Sequence, residues 1–158
     1  MYKINKFLKN LTYFKFILII TLCTVATSAI LGVIDYFFYI EPSANLVVSE
    51  SNFISEFILV IIIAPLIETL IFQYSIIKFL RNFNILKNNN IIIILISSIL
   101  FGLSHPYSLT YIINTTILGI FLSYSFVIYE NKNESPFWVV CAIHSLKNFT
   151  SFVFIHFL

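Results

Sequence analysis

The sequence places a carboxylate, Glu68, in the middle of the apolar run Ala64-Pro-Leu-Ile-Glu-Thr-Leu-Ile-Phe-Gln73. At bilayer depth an ionised carboxylate costs several kcal/mol unless it meets a partner or a water-filled cavity, so Glu68 marks a functional site with partners at its own level. Three residues qualify: His105, His144 and Asn148. His144 and Asn148 are four apart and share a helix face, with Cys141 and Ser151 flanking them on the same stripe. Phe101 stands one turn before His105 and can wall its ring from lipid, while Glu68 shares a face with Phe72 and Thr69 with Gln73. Lys147 falls at the same depth and must either pair with an acid, Glu68 being the candidate at that level, or snorkel to the surface. Paired, it would hold Glu68 ionised, the state in which a carboxylate acts as a ligand or a general base.

Three membrane-embedded helices are needed to position these groups, and the composition provides the setting. Of 158 residues, 59% are hydrophobic and 10% charged, with a mean hydropathy of +0.97; ordinary soluble domains are roughly 25% charged. The chain is therefore read as one all-α membrane domain over residues 1–158, a polytopic helix bundle of about five transmembrane helices with the site in its core. The net charge of +2 is spread along the chain and forms no patch for nucleic acid. Cys23 and Cys141 both lie inside apolar runs and suggest neither a disulfide framework nor a thiolate metal cage.

The first span covers about Phe16 to Ile34 behind Lys3, Lys6, Lys9 and Lys15. It is longer than the 7 to 15 or so apolar residues of a signal peptide and is read as uncleaved. The second covers about Asn52 to Phe79, and the third runs from Ile91 to His105, where Pro106 stops it. The fourth covers about Thr110 to Tyr129 and carries Thr115, Gly119 and Ser123 at four-residue spacing, a stripe that lets helix backbones approach closely. The fifth runs from Pro136 to the C-terminus. The connection from Glu41 to Ser51 holds acids and no bases, whereas the four N-terminal lysines, Lys78, Arg81, Lys87 and Lys132 all fall on the other side. By the positive-inside rule the N-terminus is cytoplasmic and the C-terminus outside the cell membrane.

Counted from the cytoplasmic boundaries at about 1.5 Å per residue, Glu68 lies about 17 Å deep, His105 about 21 Å, His144 about 12 Å and Asn148 about 18 Å, one polar layer in mid-bilayer. Pro65 removes a backbone donor three residues before Glu68 and loosens the helix there. Glu56 lies about 18 Å along the same helix, where a carboxylate can reach interfacial water. His156 is read as interfacial too, Asn114 as interhelical hydrogen-bonding glue, and Cys141 as a small core residue.

Taken in order, the three polar elements resemble the motifs of the CAAX-protease and bacteriocin-processing (Abi, CPBP) family of intramembrane metalloproteases. Pro65-Leu-Ile-Glu68-Thr69-Leu-Ile-Phe72-Gln73 keeps the proline, the first Glu and the Phe of a motif that usually reads Glu-Glu-x-x-x-Arg. Phe101-Gly-Leu-Ser-His105 matches Phe-x-x-x-His, and His144-Ser-Leu-Lys-Asn148 matches His-x-x-x-Asn. The likeness covers about Ile61 to Leu158, which makes residues 61–158 the family-like catalytic core. Thr69 stands where a second Glu is usual and Gln73 where an Arg is usual, a neutral pair that a Thr69 to Gln73 hydrogen bond could hold in place.

The resemblance implies an intramembrane endopeptidase that hydrolyses a peptide bond of a membrane-associated or secreted peptide, in bacteriocin self-immunity or peptide maturation. Its partners would be the lipid bilayer and a peptide or protein substrate. Glu68 would act as general base on a water, His105 and His144 would orient that water, and Asn148 would offer an amide near the developing oxyanion, help worth roughly 3 kcal/mol. Alternatively Glu68, His105 and His144 would form the His₂Glu set of a catalytic zinc site. A Glu that ligates zinc is no longer free as a base, and with Thr69 next in sequence no spare carboxylate exists, which favours the metal-free arrangement. The other class of function is a catalytically inactive relative, a membrane peptide-binding or immunity protein or a small carrier that uses the same polar layer.

Overall fold

The computed structural model of the chain describes residues 2–37 and 52–157, so the acidic connection from Glu41 to Ser51 lies outside the described residues. Helix is the only regular structure among them: α1 (Tyr2–Lys9), α2 (Tyr13–Phe37), α3 (Phe53–Arg81), α4 (Asn90–Leu103), α5 (Leu109–Tyr129) and α6 (Pro136–Phe157). Side-chain caps start three of them. Asn52 accepts from the Ile54 N–H at 3.3 Å, Asn89 from Ile92 at 3.2 Å and Ser108 from Tyr111 at 3.1 Å, each satisfying an amide that the first helical turn leaves orphaned.

Four of these helices, α2, α3, α5 and α6, are long and apolar enough to cross a membrane. α4 departs from the expected third span. Its 14 residues rise about 21 Å, short of a hydrocarbon core of roughly 30 Å, and it stops at Leu103, two residues before His105. The Ser104 hydroxyl folds back onto the Phe101 carbonyl at 2.7 Å, and the chain turns through Pro106 into α5. His105 therefore projects from the end of a short helix into the bundle. α1 was not expected; it buries Leu8 and docks on α5 through a hydrogen bond from the Tyr124 hydroxyl to Asn5.

The small-residue stripe does what its spacing predicts. A Cβ on Gly119 would stand 3.0 Å from Ser98 Cα and 3.1 Å from the Phe101 ring, so only glycine allows α5 to lie this close to α4. Gly102 answers from the other side, where a Cβ would meet the Thr116 side chain and the Ile112 carbonyl, the latter at 2.9 Å. Next along the seam, the fully buried Ser97 and Ser123 hydroxyls meet at 2.8 Å, and Ser97 donates to the Phe72 carbonyl of α3 at 2.9 Å. Three helices are thus tied at one junction.

Charges gather at one end of the bundle. Arg81 at the end of α3 reaches Glu130 at 2.6 Å, Lys78 lies 3.6 Å from the same carboxylate, and Lys132 covers the Tyr129 ring at 4.2 Å. Below them the apolar core, with Phe16, Phe126, Tyr129 and Ile143 fully buried, joins α2, α5 and α6. The opposite end is closed by aromatic side chains of α3 and α6, among them Phe53 and Phe152 with ring centroids 5.2 Å apart.

Candidate functional site

The loosening expected at Pro65 takes a definite form in α3. Two wide turns, Leu59–Ile63 and Thr69–Ile76, flank a five-residue α segment, Ala64–Glu68, that carries the proline and the carboxylate. The Ala64 N–H reaches back five residues to the Leu59 carbonyl, and the Ser75 hydroxyl reaches five back to Leu70 at 2.7 Å. Such i to i+5 turns recur at functional sites. Each one here offers a backbone carbonyl to a neighbouring helix: Asn148 Nδ2 donates to Val60 at 3.0 Å from α6, and Ser97 donates to Phe72 from α4. The segment bearing Glu68 is therefore pinned above and below.

Two imidazoles face its carboxylate. His105 Nε2 lies 3.7 Å from Glu68 Oε1, and His144 Nε2 lies 3.6 Å from Oε2. Both gaps exceed hydrogen-bond length. His105 Nδ1 sits 2.8 Å from the Phe101 carbonyl, which can only accept, so in the neutral ring Nδ1 carries the proton and Nε2 turns its lone pair toward Glu68. His144 is 2% exposed, and its Nδ1 is buried without a hydrogen-bond partner. Phe101 walls both rings, with centroids 4.8 Å from His105 and 5.7 Å from His144, and is itself backed by Phe72 at 5.5 Å. These groups line one cavity of about 520 Å³ that reaches along α3 from Glu68 to Glu56.

Glu68, His105 and His144 are thus brought together from α3, the turn that follows α4, and α6. Asn148 lines the same cavity, with one amide hydrogen committed to Val60. Asn114 is interhelical glue, accepting from Ser28 of α2 at 3.1 Å. Cys141 is buried, its thiol 3.9 Å from the Pro65 carbonyl. Lys147 lines the cavity but forms no ion pair with Glu68.

Two expectations need correction. Thr69 and Gln73 do not bond to each other: both are fully buried and their side-chain polar atoms have no partner among the described residues. The wide turn through 69–76 takes them out of the α-helical register that the expectation assumed. Glu56 does not reach interfacial water either. It is 6% exposed and faces His156 at 3.3 Å, because α3 and α6 run side by side to their ends and the Phe53 and Phe152 rings pack on the His156 imidazole. His156 is accordingly a partly buried partner of Glu56.

Gly102 and Tyr111 also belong to the site, although motif spacing singles out neither. Gly102 sits inside Phe101-Gly-Leu-Ser-His105, opposite the small-residue face of α5, and that opposition was the available signal. Tyr111, 6.1 Å from the His105 ring, lines the cavity, and a tyrosine near a span end carries no signal of its own.

The three side chains offer the donor types of a His₂Glu metal site. Among the described residues no group of three His, Cys, Asp or Glu side chains is spaced to hold one ion, and here the two imidazoles address different oxygens of Glu68.

A carboxylate thus lies between two imidazoles in a cavity walled by apolar helices. The family profile described as "Rce1-like: Type II CAAX prenyl endopeptidase Rce1-like" matches residues 50–150, and the chain belongs to that family. Its general activity is that of a CAAX-type intramembrane endopeptidase. Neither a curated protein nor a solved structure matches the chain.

Proposed function

We propose that the chain cleaves a peptide bond within the membrane by a carboxylate-activated water, with Glu68 as general base, His105 accepting a hydrogen bond from that water at Nε2, and His144 donating from Nε2 to the developing oxyanion. The observation that carries this is the pair of Nε2 atoms, 3.7 and 3.6 Å from the two oxygens of one carboxylate. The cycle runs on this chain's own groups. Glu68 takes a proton from the water as its oxygen attacks the peptide carbonyl, and the oxyanion forms beside the imidazoles. The proton then passes to the departing amine as the C–N bond breaks, leaving a carboxylate product and an amine product. Asn148 works chiefly by holding α3, since its donor is on Val60. The substrate is a membrane-associated or secreted peptide, with bacteriocin self-immunity or peptide maturation as its setting, and the N-terminus is cytoplasmic.

The neutral, unpartnered Thr69 and Gln73 favour a second reading, a peptide-binding relative without turnover. One experiment separates the two. Detergent-purified protein is given a quenched-peptide library, and wild type is compared with Glu68→Gln. Cleavage that the substitution abolishes is the expected result; peptide binding by both with cleavage by neither would replace the protease with the receptor.

A further inference from the structure

Lys147 is the charge that the mechanism leaves unused. It lies on α6 three residues beyond His144, about 4.5 Å along the axis, and lines the same cavity. No carboxylate of the described residues is within ion-pair range of it: Glu68 faces the two imidazoles, Glu56 faces His156 and Glu130 faces Arg81 and Lys78. Its ammonium donates no hydrogen bond to a described residue either, whereas the neighbouring Asn148 gives one amide hydrogen to Val60. An ammonium among apolar helices with no described carboxylate in ion-pair range is costly, and such residues mark the path of a substrate or ion. The cavity it faces is large enough for several residues of a peptide.

We infer that Lys147 is a specificity-determining residue that binds a carboxylate of the peptide substrate. This rests on the protease reading above and adds the charge of the ligand. The reach follows from the geometry. An axial offset of about 4.5 Å plus a lysine side chain of similar length places the anion within about three extended residues of the reacting carbonyl, at roughly 3.3 Å per residue. Two sources have this chemistry, the free C-terminal carboxylate of a short peptide end and an Asp or Glu side chain close to the cleaved bond. Lysine suits either, since it recognises an anion as a point charge without demanding a planar bidentate fit.

The test uses the full chain in detergent and three versions of one fluorescein-labelled apolar decapeptide: a free C-terminal carboxylate, a C-terminal amide, and the amide with Glu at the third residue from the end. Binding is measured by fluorescence polarisation on Glu68→Gln protein, and cleavage on protein with Glu68 intact. The expected result is a ten- to hundredfold preference for one of the anionic peptides over the plain amide, the range of a charge-assisted hydrogen bond. That ratio collapses to near one with Lys147→Gln, survives with Lys147→Arg, and falls below one with Lys147→Glu. Which anionic peptide wins identifies the source. An equal ratio in wild type and Lys147→Gln overturns the inference, as does equal binding of all three peptides by wild type. Because the binding arm needs no turnover, a preserved preference without cleavage would remove the protease and leave the carboxylate site, and cleavage without preference would do the opposite.

Discussion

Alanine at His105 or His144 should each remove nearly all activity, and alanine at both should cost little more. Each Nε2 flanks a different oxygen of Glu68, so a single water between them loses its hold when either ring is absent. Positioned proton transfer contributes about 10² to 10⁴ in rate, or about 3 to 5 kcal/mol at 1.36 kcal/mol per decade. Two independent losses of 10³ would multiply to about 10⁶, some 8 kcal/mol, whereas groups acting on one water give a double variant that stays near 10³. The assay is kcat/KM on a quenched peptide for wild type, the two single variants and the double, each accompanied by a melting curve in detergent. The melting curve matters because His144 is fully enclosed, and truncating a buried side chain carries a packing cost of about 2 to 5 kcal/mol whatever its chemistry. His105, with 17% of its side chain exposed, is the cleaner member of the pair. Additive losses in variants that melt like wild type would refute the shared water and return the two rings to separate structural roles.

Gly102→Val should lower the stability of the protein by about 1 to 3 kcal/mol through overpacking against Thr116 and Ile112, read as a fall in detergent melting temperature. Asn148→Ala should cost about 1 to 3 kcal/mol of stability by leaving the Val60 carbonyl unpaired, with a smaller loss of turnover than Glu68→Gln; equal losses would make Asn148 part of the chemistry. Alkaline phosphatase fused after Leu158 should be active and one fused near Lys87 inactive, since the bases cluster at the end that holds Arg81 and Glu130; the reverse pattern would overturn the orientation. Exhaustive chelation should leave activity intact, and a stoichiometric zinc whose removal abolishes turnover and whose return restores it would show that the donor set rearranges around a metal.

Much of this site is written in local spacing. Four of the five apolar runs read as spans form helices of spanning length because hydropathy acts over the whole segment, and counting rise along the runs anticipates that Glu68 meets His105 and His144. Phe101 beside His105 and the Thr115, Gly119, Ser123 seam could likewise be read, since both depend on spacing within a single helix. What escaped depends on two helices at once. Glu56 and His156 are 100 residues apart, and only the lateral pairing of α3 with α6 makes them partners. The Thr69 to Gln73 bond failed for a related reason: it assumed α-helical register in a stretch whose turns are wider.

Those wide turns explain how the bundle fixes Glu68. A regular α-helix satisfies its own carbonyls and presents few polar handles to its neighbours, which makes it easy to slide in lipid, where packing between helices has no hydrophobic driving force. The turns at Leu59–Ile63 and Thr69–Ile76 present Val60 and Phe72 as acceptors, one to α6, which carries His144, and one to α4, which His105 follows by two residues. The hydrogen bonds that locate Glu68 therefore also locate the rings that face it. Slippage of either neighbour by one residue, about 1.5 Å, would break a bond to α3 at the same time as it carried an imidazole out of register with the carboxylate. Position and chemistry are coupled through the backbone, which is how a site with a single carboxylate and neutral Thr69 and Gln73 beside it can hold its geometry without a charge pair.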